Sequence, residues 1–173
     1  TLFTPRAAYR IDGGSFSSPT MQTGENAPNG VLVNYVFTKR LTKPVILEFR
    51  DAKDSLIIEY SSNKDAKGDP IKPNTKFYPD TERKRSRGTV PADSGFNRFV
   101  WNTRYPNATE SPVVMWGAST TGPKAVPGVY TVKMKLGDSV IAKEQFSIIP
   151  SVAVLQKDLD EQFELHQQIN KNV

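Results

Sequence analysis

Two stretches constrain the fold of this chain more than any others. One is Ser94-Gly95-Phe96-Asn97-Arg98-Phe99-Val100-Trp101-Asn102-Thr103-Arg104-Tyr105 and the other is Pro127-Gly128-Val129-Tyr130-Thr131-Val132. Each opens on a turn and passes into aromatic and β-branched residues that alternate with polar ones. That period of two belongs to a strand with one buried face. Neither stretch holds an arrangement of groups that could do chemistry. A chain organised around such segments is a β-sandwich module, and its packing is far easier to read than its ligand.

The same period recurs elsewhere. Val31 to Thr38 puts Val31, Val33, Tyr35 and Phe37 on one face. After Pro44, Val45, Leu47 and Phe49 alternate with Ile46, Glu48 and Arg50, and Leu56, Ile58 and Tyr60 follow a turn at Asp51-Ala52-Lys53-Asp54. The short connections predict that these three runs form an antiparallel meander. Gly128 to Leu136 points Tyr130, Val132, Met134 and Leu136 inward and Thr131, Lys133 and Lys135 outward. Gly137-Asp138 is a tight hairpin turn, and Val140 to Ile149 pairs back with Phe146 and Ile148 in the core. Beyond Pro150 the period changes: Leu155, Leu159, Phe163 and His166 recur at helical spacing. Asp158, Asp160 and Glu161 near the start of that segment and Lys171 near its end match the sign of the helix dipole.

Between these elements lie turn formers and polar connections. Residues 1 to 30 read as an irregular lead-in draped over the domain, residues 31 to 150 as the sandwich, and residues 151 to 173 as a C-terminal helix cut short. Ser61 to Asp93 is polar and rich in Pro, Gly and Lys, the composition of a surface excursion. No repeat is visible. The 13 prolines and 11 glycines fall mostly between the apolar runs, and 37% hydrophobic residues suffice for a core. No run approaches the ~18 apolar residues of a membrane span. The chain opens on Thr1-Leu2-Phe3-Thr4-Pro5 and stops at Asn170-Lys171-Asn172-Val173, which reads as a piece of a longer protein with any targeting signal outside it.

Several chemistries lack their parts. With no cysteine there are no disulfides, thiolate metal sites or cysteine nucleophiles. The one histidine, His166, has no second ligand at metal spacing, and Ser-His-Asp, Cys-His and zinc hydrolase schemes are incomplete. No cofactor or metal is expected. Among the carboxylates, Asp51 and Asp54 belong to a turn and Glu48 and Glu59 to solvent-facing strand positions, while Glu144 is either a partly buried acid or an edge-strand charge that deters aggregation. The net charge of +5 is concentrated in Glu82-Arg83-Lys84-Arg85-Ser86-Arg87-Gly88, which has no interleaved aromatics to stack on bases, so it is read as a solvated loop and nucleic acid is not an expected partner.

Aromatics are the remaining lead. Trp101, Trp116, Phe77, Tyr78 and Tyr105 are candidates for a sugar platform. Trp101 shares a strand face with Phe99 and is assigned to the core. Trp116 follows Val113-Val114-Met115 in a loop and is either a plug closing one end of the sandwich or a ligand contact. Trp116, Tyr105 and Tyr78 are therefore the candidate contacts for a carbohydrate or a protein partner.

At these motifs the chain resembles a known family. Gly95-Phe96-Asn97-Arg98-Phe99-Val100-Trp101-Asn102-Thr103-Arg104-Tyr105-Pro106 is similar to a strand of the Ig-like domain that follows sortilin-type, BNR-repeat β-propellers in bacterial proteins labelled glycosyl hydrolases. That Ig-like domain is itself similar to the one in the flagellar hook-capping protein. Tyr9-Arg10, Gly24-Glu25-Asn26-Ala27-Pro28-Asn29-Gly30, Pro127-Gly128-Val129-Tyr130-Thr131-Val132 and Asp158-Leu159-Asp160-Glu161-Gln162-Phe163 fit the same pattern. The resemblance implies an all-β fold: an Ig-like antiparallel β-sandwich of roughly seven strands, with the irregular lead-in and the C-terminal α-helix at its two ends. It further implies a non-catalytic accessory module of a large exported protein, whose partner is the β-propeller of the parent chain and whose hydrolase activity, if any, belongs to that propeller. A carbohydrate-binding module that presents exposed aromatics to a polysaccharide is the alternative.

Overall fold

The computed structural model describes residues 1–10, 28–63, 89–107, 121–150 and 155–172. Seven strands and one helix follow in chain order. They are β1 (Ala8–Arg10), β2 (Val31–Phe37), β3 (Val45–Arg50), β4 (Leu56–Ser61), β5 (Gly95–Trp101), β6 (Gly128–Leu136), β7 (Ser139–Pro150) and α1 (Gln156–Asn172). Five strands form one sheet in the order β1-β7-β6-β3-β4, and β2 and β5 form a second. In the larger sheet β1 runs parallel to β7 while its other neighbours are antiparallel. The first strand on the last, the hairpin neighbours beside it, and the second and fifth strands opposite make the Greek-key order of an Ig-like sandwich.

The alternation read from the sequence decides which side chains meet between the sheets. Val31, Val33, Tyr35 and Phe37 of β2 are buried, as are Val45, Leu47 and Phe49 of β3, Tyr130, Val132 and Met134 of β6, and Phe146 and Ile148 of β7. Trp101 is fully buried at the centre. Its ring stacks on Phe49 at 4.5 Å and meets Tyr130 and Phe146 edge-on at 6.1 and 6.2 Å. Offset and edge-on pairs of this kind add about 0.5–1.5 kcal/mol beyond the area they bury. The Tyr130 hydroxyl donates to the carbonyl of Val126 at 2.6 Å. A tyrosine at the start of this strand, bonded a few residues upstream, is the corner found in Ig-like sandwiches, and Val132 stands two residues on, where antibody domains carry a cysteine.

Three expectations change. Only the second half of the predicted meander forms, the antiparallel pair of β3 and β4. β2 pairs with β5, and β3 pairs with β4 and β6, so β2 and β3 face each other across the core. Alternation specifies a buried face and says nothing about the neighbour, and the connection from Thr38 to Pro44 is long enough to cross between sheets ~10 Å apart. Residues 1–10 of the lead-in pack on the domain and are more regular than expected. Leu2 forms a bridge with Tyr35, the Phe3 amide donates to the carbonyl of Asn34, and Ala8–Arg10 then joins β7 in the other sheet. The polar excursion rejoins the core before Asp93. Val90 is buried and donates to the carbonyl of Ser61, and the carbonyl of Pro91 accepts the Tyr35 hydroxyl.

Gly30 enters β2 at φ +133°, and a β-carbon there would stand 2.2 Å from the Trp101 carbonyl oxygen. Gly95 also has positive φ, at +102°, but no atom lies within 4 Å of its missing β-carbon. Gly95→Ala therefore carries backbone strain alone and should cost about 1 kcal/mol of unfolding free energy, whereas Gly30→Ala should cost on the order of 3 kcal/mol because it also displaces the Trp101 backbone. Urea denaturation of the two variants measures the difference, and equal losses would remove this account of Gly30.

Candidate functional site

The aromatic candidates divide sharply. Trp116, Tyr78 and Phe77 lie outside the described residues. Trp101 is no platform: its indole nitrogen donates inward to the carbonyl of Arg104 at 3.3 Å. Tyr105 is half-buried where the turn after β5 meets the helix. Its amide donates to the carbonyl of Pro123 at 2.9 Å, and its ring packs edge-on against Phe163 of α1 at 4.8 Å. Burial, followed by the nearby Tyr130 and Asp51, pushes the Tyr105 phenol well above its ordinary value.

Tyr105 is thus one of the anchors of α1. Leu159 supplies a buried contact from the helix. The Gln156 side chain donates to the carbonyl of Pro127 at 3.2 Å, and Arg10 of β1 donates to Gln162 at 3.1 Å. Leu159 and Phe163 are four apart and share the docked face, as the helical spacing predicted. Leu155 and His166, the other members of that stripe, are exposed, and Leu165 and Ile169 are exposed as well. The apolar stripe runs obliquely across the helix, and only its central turn meets the sandwich.

The charged side chains that the sequence placed in solvent are more organised than expected. Glu48 is only 5% exposed, a correction to its assignment as a solvent-facing carboxylate. Its Oε2 accepts from Arg50 Nε at 2.9 Å and its Oε1 from Lys135 Nζ at 2.9 Å. Arg50 NH1 continues to the backbone carbonyl of Asp54, and Lys133 Nζ reaches Asp54 Oδ2 at 2.8 Å. Glu48 and Arg50 share a face of β3, and Lys133 and Lys135 share the matching face of β6, so the ladder between these strands assembles the group. Burial works to raise the Glu48 pKa, but the hydrogen bonds and charges of Lys135 and Arg50 outweigh it and hold the carboxyl below its usual value. The hydrogen bond from Lys133, against a smaller effect of desolvation, lowers that of Asp54 as well.

This cluster ties strands together. Both carboxylates are held ionised as acceptors, so neither is poised to donate a proton, and the surrounding cations occupy their lone pairs. Among the described residues no group of three or more His, Cys, Asp or Glu side chains is arranged to hold a metal. Asp51 does the turn work read from its position, its Oδ1 accepting from the amides of Lys53 and Ser55. Glu144 is directly opposite Val132 on β6 and so faces inward at the flank of the sandwich, where Thr4 donates to it at 2.6 Å. The basic run from Arg83 to Arg87 lies outside the described residues.

Three exposed aromatics, Phe3, Tyr9 and Phe96, were not singled out as contacts from the sequence. Tyr9 is 59% exposed on β1, and Phe96 is 62% exposed on β5 with the Arg98 guanidinium 5.8 Å from its ring centre. The alternation Ala8-Tyr9-Arg10 held the signal for Tyr9, but a segment read as irregular has no outward face to assign.

No family model, no curated protein and no solved structure matches this chain.

Replacing Glu48 by Gln should destabilise the fold by on the order of 2 kcal/mol at pH 7, because Arg50 and Lys135 lose a charged acceptor. A carboxyl whose pKa is lower folded than unfolded stabilises fully above its unfolded value of ~4.3 and loses that contribution as pH falls through the folded value. The gap between wild type and Glu48→Gln should therefore close on acidification below the ordinary carboxylate range, as read by chemical denaturation across pH. A second expectation concerns α1. Phe163→Ala and Tyr105→Ala should show a coupling of about 0.5–1.5 kcal/mol in a double-mutant cycle, and either should speed amide exchange along the helix. Independent, additive effects would contradict the docking contact.

Proposed function

We propose that this chain is a non-catalytic accessory module, an Ig-like sandwich that positions or contacts a partner domain of a larger exported bacterial protein. The observation that carries the proposal is where the exposed apolar side chains lie. Among the described carboxylates, Glu48 and Asp54 are engaged in the ionic group between β3 and β6, and Asp51 in its own turn. The outer face of the β2–β5 sheet, by contrast, is apolar. Phe96 and Phe3 are exposed there, with Leu32, Val36 and Val100 half-buried around the Asn34–Arg98 pair. Exposed apolar side chains on an open sheet face, with a polar pair among them, suit a protein contact, whereas a small-molecule site needs a concave pocket with convergent polar groups. The sequence resemblance supplies the partner: the β-propeller of the parent chain.

A carbohydrate-binding module is the second reading, and exposed Tyr9 favours it, since a flat ring on a sheet surface can stack on a pyranose. The test is affinity electrophoresis of the domain against plant and microbial polysaccharides, with Trp116→Ala and Tyr9→Ala alongside. The module reading expects no retardation on any polysaccharide, and a rise in melting temperature when the separately prepared parent propeller is added, because a partner that binds only the folded state stabilises it. Retardation by one glycan that disappears in either variant would replace the first reading with the second.

A further inference from the structure

Strand β7 has an edge that is covered along only part of its length. β1 pairs with it from Ile148 to Pro150, and Thr4 crosses it at Glu144. From Ser139 to Lys143 no strand among the described residues pairs with the side facing away from β6. Beside this open stretch lies a depression of about 520 Å³, formed where the β2–β3 connection packs against the β6–β7 turn. The Gly137 amide donates to the carbonyl of Pro44 at 2.9 Å and fixes that approach. Leu41, Leu136 and Ile141 give the depression an aliphatic lining, and Lys39, Arg40 and Lys43 give it a cationic one. All three cations are exposed, and no ion pair joins any of them to a described residue.

The strand itself is shaped for this place. The ladder between β6 and β7 slips between Met134 and Lys135, so Ala142 faces Met134, Val140 faces Lys135 and Ile141 has no opposite residue. Val140 and Ile141 are 56% and 49% exposed, large apolar side chains at an open edge where a soluble sheet usually places charges. Further down the same strand Glu144 faces inward, and there Thr4 covers it.

We propose that Ser139–Lys143 and the loop from Lys39 to Lys43 form a docking groove for an extended acidic peptide segment of a partner protein. This rests on the reading of the chain as an interaction module and names the chemistry of one of its contacts. The peptide adds as a short strand to the open edge, and its main chain takes up the free amide and carbonyl groups of β7. Its carboxylates lie against Lys39, Arg40 and Lys43, and an aliphatic side chain enters between Leu41 and Ile141. The open edge accommodates about five residues, or ~17 Å of strand, before Thr4 closes it. The lining contains no aromatic ring, which disfavours a sugar, and the exposed backbone edge suits a polypeptide.

The test is a titration of the isotope-labelled chain, followed by amide NMR, with the synthetic peptide acetyl-Glu-Val-Glu-Val-Glu-amide. A Lys-Val-Lys-Val-Lys peptide and a sulfated hexasaccharide are the comparison probes. The acidic peptide should shift the amides of residues 39–43 and 139–143, slow exchange at the latter, and bind more weakly as salt is raised. The variant carrying Lys39→Glu, Arg40→Glu and Lys43→Glu should fold normally, these side chains being exposed, and weaken the peptide about tenfold. Shifts elsewhere, equal binding of the basic peptide, an unchanged titration in the variant, or tighter binding of the hexasaccharide would each overturn the groove. A parent propeller that stabilises the domain without perturbing these amides would leave the module reading standing and remove this site.

Discussion

The fold turns on the contact between Trp101 and Phe49. They belong to opposite sheets, β5 and β3, and their stacked rings are the point at which the two halves of the sandwich are joined. Phe146 and Tyr130 close around the pair from β7 and β6, and Phe99 and Tyr60 extend the aromatic layer toward β4. Antibody domains place a disulfide between the sheets in this region, and the present chain has no cysteine. Here the facing side chains hold the sheets through dispersion and burial, which demands close packing over the whole layer. The near-complete burial of Val31, Val33, Tyr35, Leu47 and Val132 around the stack meets that demand.

What the amino-acid sequence revealed of this architecture was local. The positions of β2 to β7, the β6–β7 hairpin, most inward faces and the change to a helical period could be read, because each depends on side chains a few residues apart; β1 could not, nor the irregularity opposite Arg50 that leaves Leu56 exposed and buries Ile57. Sheet membership could not be read in the same way. β2 and β3 are joined by a short loop and look like hairpin partners, yet the pairing of β2 with β5 spans the long excursion between Ser61 and Gly95. Glu48 illustrates a related blindness. A carboxylate at an outward strand position is normally solvated, and only the register with β6 brings Lys135 over it beside Arg50 of its own strand. Tyr105 belonged on a candidate list as an aromatic in a loop, and its real setting depended on a helix some fifty residues away.

The two faces of the molecule are built to different rules. The outer face of β3 and β6 carries charges that satisfy one another, so it offers a partner little to recognise that is not already paired. The β2–β5 face and the head of β7 carry apolar side chains in the open, and the β2–β3 loop carries cations with no ion pair to any described residue. Surfaces of the second kind lower their free energy on meeting a complementary chain, and surfaces of the first kind do not.

The seam between β1 and β7 has a mechanical consequence. Its strands run parallel, so a pull that draws residue 1 away from residue 150 is directed along the hydrogen-bonded ladder, and its bonds are loaded together in shear. An antiparallel hairpin pulled at its open end releases its bonds one after another. Because residues 1–3 are fastened to β2 and Ala8–Arg10 to β7, the same pull acts on both sheets at once. The first ten residues therefore form a clasp, and the extension of the domain under tension begins where that clasp gives way.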